Sequence, residues 1–227
     1  MPETLLIDAD DTLWENNLYY EEVFDRFLAL LEPLGISRED LRQQLDHTER
    51  QNIRKHGYGA RSFTRSLEEM YLKLAGPTAS RAVLKQITDL GRNLERRPPR
   101  LFPGVLETLE YLKSRHRLLL VTKGDLEEQT TKVAKSGLVA LFEAVEVLAE
   151  KNTATLERLL AHYRVRKANA WMVGNSPRSD INPALAAGMN AVFIPYAMTW
   201  ELEKEPILSG TGRLLVVNQF RELTAHF

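Results

Sequence analysis

The sequence contains no cysteine, which excludes disulfides, thiolate nucleophiles and zinc–thiolate sites together. It also lacks an excess of either charge: Lys and Arg number 30 against 31 Asp and Glu, a formal net charge of −1. The overall basic field that draws phosphate backbones is missing, so nucleic acid is not an expected partner. No apolar run is long enough to span a bilayer, and Met-Pro-Glu-Thr opens without a basic segment leading into an apolar one. No membrane association is expected, and the location expected is cytoplasmic. No Gly-x-Gly-x-x-Gly follows the first apolar run, which disfavours a dinucleotide-binding oxidoreductase. The histidines at 47, 56, 116, 162 and 226 include no closely spaced pair for a metal and receive no catalytic role.

What is present is 227 residues, 44% hydrophobic and 27% charged, an ordinary globular composition. That length can bury a substantial core, as one domain or as a core with an inserted module. Residues 18 to 95 carry helical periodicity and no strand signal. Val23, Phe27, Leu30 and Leu34 mark a first helix; Ser37-Arg38-Glu39-Asp40 offers an N-cap for a second, which Gly57-Tyr58-Gly59 breaks. Phe63, Leu67, Met70, Tyr71 and Leu74, closed by Gly76-Pro77, mark a third, and Val83, Ile87, Leu90 and Leu94 a fourth. A small four-helix bundle is expected.

From Pro103-Gly104 onward the rhythm alternates. Helical stretches at Val105–Leu112, Leu126–Lys135, Thr155–Tyr163 and Ile181–Ala187 fall between short apolar runs at Leu118–Val121, Val145–Leu148, Trp171–Val173, Ala191–Ile194 and Leu214–Val217. This predicts an α/β fold, a parallel sheet with helices on both faces. The domains expected are a Rossmann-like core over 1–16 and 99–227 and a helical insertion over 17–98.

Polar residues recur where strands end. Asp8-Ala9-Asp10-Asp11-Thr12 follows Leu5-Leu6-Ile7, Thr122 follows Leu118–Val121, Lys151 follows Val145–Leu148, and Gly174-Asn175-Ser176 follows Trp171–Val173. In an open parallel sheet these ends share one edge, where ligands bind. The set supplies the parts of phosphoryl transfer through a covalent intermediate. Asp8 would attack phosphorus, and Asp10 would protonate the leaving oxygen and then deprotonate water. Thr122 and Lys151 would hold phosphoryl oxygens. A phosphate dianion beside Asp8 and Asp180 leaves one lysine to oppose four negative charges, which calls for a hard divalent cation such as Mg²⁺.

Leu6-Ile7-Asp8-Ala9-Asp10-Asp11-Thr12-Leu13, Thr122, Lys151 and Gly174-Asn175-Ser176-Pro177-Arg178-Ser179-Asp180-Ile181 resemble the four ordered motifs of the haloacid dehalogenase (HAD) superfamily. The resemblance implies a Rossmann-like core with a helical cap inserted between the first two motifs. It implies Asp8 as nucleophile, Asp10 as acid/base, Thr122 and Lys151 as phosphate partners, and a Mg²⁺ site of Asp8, the Asp10 main-chain carbonyl and Asp180. Asn175 departs from the pattern, because many members have an aspartate there. Asp180 then binds the metal either directly or through water, with the Asn175 amide oxygen as an uncharged ligand.

The expected activity is Mg²⁺-dependent hydrolysis of a small phosphorylated metabolite. The alternatives are a phosphomutase and a low-turnover binding or regulatory protein on the same fold. Carbon–halogen hydrolysis is disfavoured, because the dehalogenase branch characteristically lacks the second aspartate and halide leaves without a proton. Thr12, Trp14 and Lys123 beside the motifs, with Arg54 and Tyr58 around the Gly-x-Gly turn, are the candidate substrate-binding residues. Bland alternatives exist for several of these residues and for Asp180: Trp14 packing on the insertion, Arg54 and Tyr58 at a solvated helix end, Asp180 capping the helix it begins.

Overall fold

In the computed structural model, which describes residues 2–227, the apolar run before Asp8 is β1 (Thr4–Ile7), followed by a two-residue β2 (Trp14–Glu15). Four helices come next, α1 (Asn17–Leu31), α2 (Arg38–His56), α3 (Ala60–Ala75) and α4 (Arg81–Arg96). After β3 (Arg100–Leu101) the chain alternates: α5 (Val105–Lys113), β4 (Arg117–Lys123), α6 (Leu126–Ser136), β5 (Ala144–Leu148), α7 (Thr153–His162) and β6 (Ala170–Gly174). A π-type turn, Pro177–Ile181, leads into α8 (Asn182–Ala186), β7 (Asn190–Phe193) and β8 (Leu214–Val216).

Six strands form one parallel sheet in the order β5-β4-β1-β6-β7-β8. Because strand side chains alternate between faces, Leu5 and Ile7 enter one apolar cluster with Leu118, Leu120, Val173 and Val192, packed by α5 and by Val133 of α6. Leu6 points the other way and joins Leu119, Val121, Met172 and Ala191 against α7 and α8. A sheet buried on both faces explains why its strands read as continuous apolar runs. This is a Rossmann-like α/β core. Its strand order departs from β1 in both directions, so the carboxyl ends of β4, β1 and β6 lie side by side at a switch point where open sheets bind ligands.

By contact the chain divides into two units: the chain up to Asn17 with Pro98–Phe227, and Leu18–Arg97. The second unit is helical. Phe24, Phe27, Leu45, Leu67, Met70 and Ile87 belong to its single core, and Tyr20 meets Phe63 edge-on at 5.0 Å. Ser37 caps α2 as the sequence predicts, its side chain accepting from the Asp40 N–H. The antiparallel pair of β2 with β3, within the first unit, was not expected, being two residues long on each side. Among the described residues no helix is long and apolar enough to cross a membrane.

The helical unit depends on one close approach. A Cβ on Gly91 of α4 would fall 1.9 Å from Thr64 Oγ1 of α3, whose hydroxyl is already turned onto the Ala60 carbonyl at 2.6 Å. Gly91→Ala is expected to lower stability although alanine favours helix by about 1 kcal/mol, because overpacking costs about 1–3 kcal/mol. Chemical denaturation measures it, and a stabilised variant would show that the two helices separate freely.

Candidate active site

Asp8 follows β1 directly, its N–H donating to the Val173 carbonyl at 2.9 Å, and its carboxylate is almost wholly buried. One oxygen, Oδ1, accepts from Lys151 Nζ at 2.5 Å, and the other accepts from the Thr12 hydroxyl at 3.1 Å. Lys151 Nζ also donates to Asp180 Oδ1 at 2.5 Å. The Thr12 hydroxyl lies 3.3 Å from Asn175 Oδ1. Three loops, those after β1, β5 and β6, therefore meet in one hydrogen-bonded cluster. Burial raises the Asp8 pKa to about 7, with Lys151 pulling it down and Asp180 pushing it up. Burial opposes the charge on Lys151, but Asp180 and Asp8 outweigh it and raise its pKa, so the side chain remains an ammonium.

Local structure explains how each group arrives. Lys151 immediately precedes Asn152, the N-cap of α7, whose Oδ1 accepts from the Thr155 N–H at 3.0 Å. Asp180 lies in the π-type turn and is fully buried, its second oxygen accepting from the Ser176 N–H at 3.0 Å. The cap of that turn is Ser176, which accepts from the Ser179 N–H, so the capping alternative for Asp180 is not what the structure shows. Gly174 makes room: a Cβ there would lie 2.2 Å from Asp180 Oδ2.

Asp10 belongs to a second cluster. The N–H groups of Thr12 and Leu13 both donate to the Ala9 carbonyl, at 3.2 and 2.8 Å, which curls the loop tightly. Trp14 Nε1 thereby reaches Asp10 Oδ1 at 2.6 Å, and Oδ2 accepts from Gln129 Nε2 at 2.9 Å and Lys132 Nζ at 2.7 Å. Gln129 also faces Thr122, whose hydroxyl lies 3.4 Å from its Oε1. Asp11, with φ near +60°, turns its carboxylate to accept the N–H groups of Asn16 and Asn17 at 2.9 and 3.0 Å, fixing the start of α1.

A third group lies around Lys123 at the end of β4. Its Nζ donates to Ser179 Oγ at 2.8 Å and Glu203 Oε1 at 2.6 Å. Glu203 Oε2 accepts from Ser176 Oγ at 2.6 Å and also from Ser179 Oγ. Burial acts to raise the Glu203 pKa, but Lys123 and the two serines more than offset it and hold the carboxyl below its usual range.

The structure thus unites Asp8, Thr12, Lys151, Asn175 and Asp180, and it links Asp10 to Thr122 through Gln129. Trp14 corrects the expectation of a substrate contact: its ring is fully buried in the apolar core, and only its N–H acts, on Asp10. Thr12, also buried, is bonded to Asp8 and Asn175 rather than presented to solvent. Lys123 is held by Glu203 and Ser179. Arg54 and Tyr58 stand on the helical unit, Arg54 exposed in the last turn of α2 and Tyr58 half-buried in the turn after it. The sequence reading missed Gln129, Lys132 and Glu203. The first two share one face of α6 by their i,i+3 spacing, but nothing local says that this face meets Asp10. Lys132 answers Asp10, which lies outside the count of one lysine against Asp8 and Asp180.

Among the described residues, no three of His, Cys, Asp and Glu converge as a ready-made metal centre. The donors that do meet are the carboxylates of Asp8 and Asp180 and the amide oxygen of Asn175. All are oxygens and two are charged, which fits Mg²⁺, a hard cation that takes one or two carboxylates and completes its shell with water and substrate phosphate. The Asp10 side chain is engaged elsewhere, so only its main-chain carbonyl could contribute.

Sheet and site together define an α/β protein with a carboxylate buried at the switch point of its parallel sheet. A family model for haloacid dehalogenase-like hydrolases matches residues 2–188, and the chain belongs to this family of hydrolases. A glyceraldehyde 3-phosphate phosphatase from Methanothermobacter thermautotrophicus is 30% identical over 130 residues, 55% of this chain and 57% of that protein; the match thus spans little more than half of the relative's length. A haloacid dehalogenase-like family hydrolase from Xanthomonas campestris superposes with a TM-score of 0.86 at 32% identity, over 99% of this chain and 90% of the other. The L-2-haloacid dehalogenase of Xanthobacter autotrophicus shares the fold, with a TM-score of 0.66 at 15% identity over 99% and 98% of the two chains.

Gly174→Ala is expected to push the Asp180 carboxylate off Lys151 and to cut turnover at least tenfold, as removal of a pre-organised charged group does. Steady-state kinetics on the folded variant checks this, and unchanged turnover would mean that Asp180 is dispensable.

Proposed function

We propose that the protein is a Mg²⁺-dependent phosphatase that hydrolyses a small phosphomonoester through an aspartyl-phosphate. The observation that carries this reading is the separation of two carboxylates two residues apart. Asp8 is fixed by Lys151 and Thr12, whereas Asp10 is drawn aside by Trp14, Gln129 and Lys132. The separation supports different tasks for the two, Asp8 as nucleophile and Asp10 as acid/base once substrate displaces one of its hydrogen-bond partners. Asp8 attacks phosphorus, the ester P–O bond breaks, and the leaving oxygen takes the proton of Asp10. Asp10 then accepts a proton from water as that water attacks phosphorus, and Asp8 is released. Lys151 offsets charge on the phosphoryl oxygens, and the Thr122 hydroxyl donates a neutral hydrogen bond to one of them.

Mg²⁺, held by Asp8, Asp180, Asn175 and the Asp10 carbonyl, would neutralise the phosphate and orient it for in-line attack. The phosphatase relative supports an ester substrate. Asp10 argues against carbon–halogen hydrolysis despite the dehalogenase neighbours, since halide needs no acid. The helical unit, inserted between Asp8 and Thr122, is read as the cap, with Arg54 and Tyr58 as its candidate substrate contacts.

Phosphate release from sugar phosphates, nucleoside monophosphates and organic-acid phosphates, with Mg²⁺ or chelator, tests the reading. Turnover should need the metal and disappear in Asp8→Asn; release that survives both would refute it. Asp10→Asn should lose about 10²–10⁴-fold with alkyl phosphates and much less with p-nitrophenyl phosphate, whose leaving group needs little protonation. Trp14→Phe, which keeps the buried ring but removes the N–H on Asp10, should show the same bias in milder form. Equal losses on both substrates would deny the indole a role through Asp10.

A further inference from the structure

The Glu203 carboxylate reaches the site from a remote segment. It sits on a short turn, Glu201–Glu203, outside the residues that the family model matches. Its bonds fall beside residues of the site, two of them next to oxygen donors of the candidate metal set. Ser176 follows Asn175, Ser179 precedes Asp180, and Lys123 follows Thr122. The Ser176 N–H is itself bonded to Asp180, and the adjacent Leu202 carbonyl accepts from Arg178 at 2.9 Å. The Lys123 and Glu203 side chains are only 10% and 12% exposed. In such a setting solvent screens an ammonium poorly, and an unanswered one acts strongly on its neighbours.

We propose that Glu203 is a positioning residue for the metal-binding loop: it ties down Ser176 and Ser179, and it answers the charge of Lys123 so that this ammonium does not compete with a divalent cation for Asp180. The proposal rests on the Mg²⁺-site reading above and extends it to a residue with no place in the four motifs. It accounts for the pairing of a nearly buried lysine beside the site with a carboxylate 80 residues away.

Mg²⁺ binding to the full chain, followed by titration calorimetry without substrate, tests the proposal apart from turnover. Glu203→Gln should raise the Mg²⁺ Kd roughly tenfold, the scale of one unanswered buried charge near the site, while inorganic phosphate binds more tightly. Adding Lys123→Met should restore most of the Mg²⁺ affinity. A merely structural role predicts the opposite pattern, with both ligands weakened and no rescue, and that result overturns the proposal. A native-like Mg²⁺ Kd in Glu203→Gln overturns it alone; a native chain that does not bind Mg²⁺ overturns the metal reading with it. If Glu203→Gln does not fold, Lys123→Met by itself should bind Mg²⁺ several-fold more tightly, and unchanged or weaker binding counts against the proposal.

Discussion

The ammonium of Lys151, buried between the carboxylates of Asp8 and Asp180 at 2.5 Å from each, is the interaction on which the site depends. Three charges from three separate loops have left water together, and each would be costly alone. Their mutual compensation requires the ends of β1, β5 and β6 to arrive within one hydrogen-bond length of a common point. That requirement explains features with no other evident purpose. Gly174 lacks a side chain because the Asp180 carboxylate lies over it, and the chain passes through a π-type turn before α8, a geometry that recurs at functional sites.

Charge around this centre is net negative, since the nearly buried Asp11 and Glu128, the latter 4.0 Å from Lys132, add to the groups that follow. Three carboxylates, those of Asp8, Asp10 and Asp180, face two ammoniums, Lys151 and Lys132, while Lys123 and Glu203 form a nearly buried pair beside them. The local balance of these groups is one negative charge. A net negative site favours a cation over a lone phosphate dianion, and that charge supports the metal proposed above as much as the identity of any one ligand does. Asn175 fits the same balance. An aspartate there would add a further negative charge next to Thr12, whereas the amide oxygen offers a ligand atom without one.

Much of this was legible in the sequence because it is local. β1 and β4 announce themselves as apolar runs since both faces of the sheet are covered, and Asp8, Thr122, Lys151 and Asp180 could be placed on one edge since parallel strands end on the same side. Ser37 could be read as a cap from its spacing to Asp40. The features that could not be read depend on distance in sequence. Lys132 is 122 residues from Asp10, and Glu203 is 80 from Lys123; in the sequence each is one more charged residue in a chain with 61 of them. Trp14 failed for a different reason. Its neighbours in sequence place it beside the nucleophile, but only the curl of the loop around the Ala9 carbonyl decides that its N–H faces Asp10 while its ring faces the core.

The segment after β7 lies beyond the residues that the family model matches, although solved structures of similar fold superpose over 99% of the chain. The family model stops at residue 188, yet the chain beyond that point supplies β8 as an edge of the sheet, Phe220 and Leu223 to the apolar cluster under α5, and Glu203 to the site. It is pinned at several points: the Met198 carbonyl accepts from Asn17 Nδ2 at 2.5 Å, and Asn182 bridges to Pro206 and Leu208. A strap fastened at both the nucleophile side and the α8 side can hold a carboxylate in place without moving the four motifs. The strap therefore brings a charge to the edge of the site from a segment separate in sequence from all four motifs.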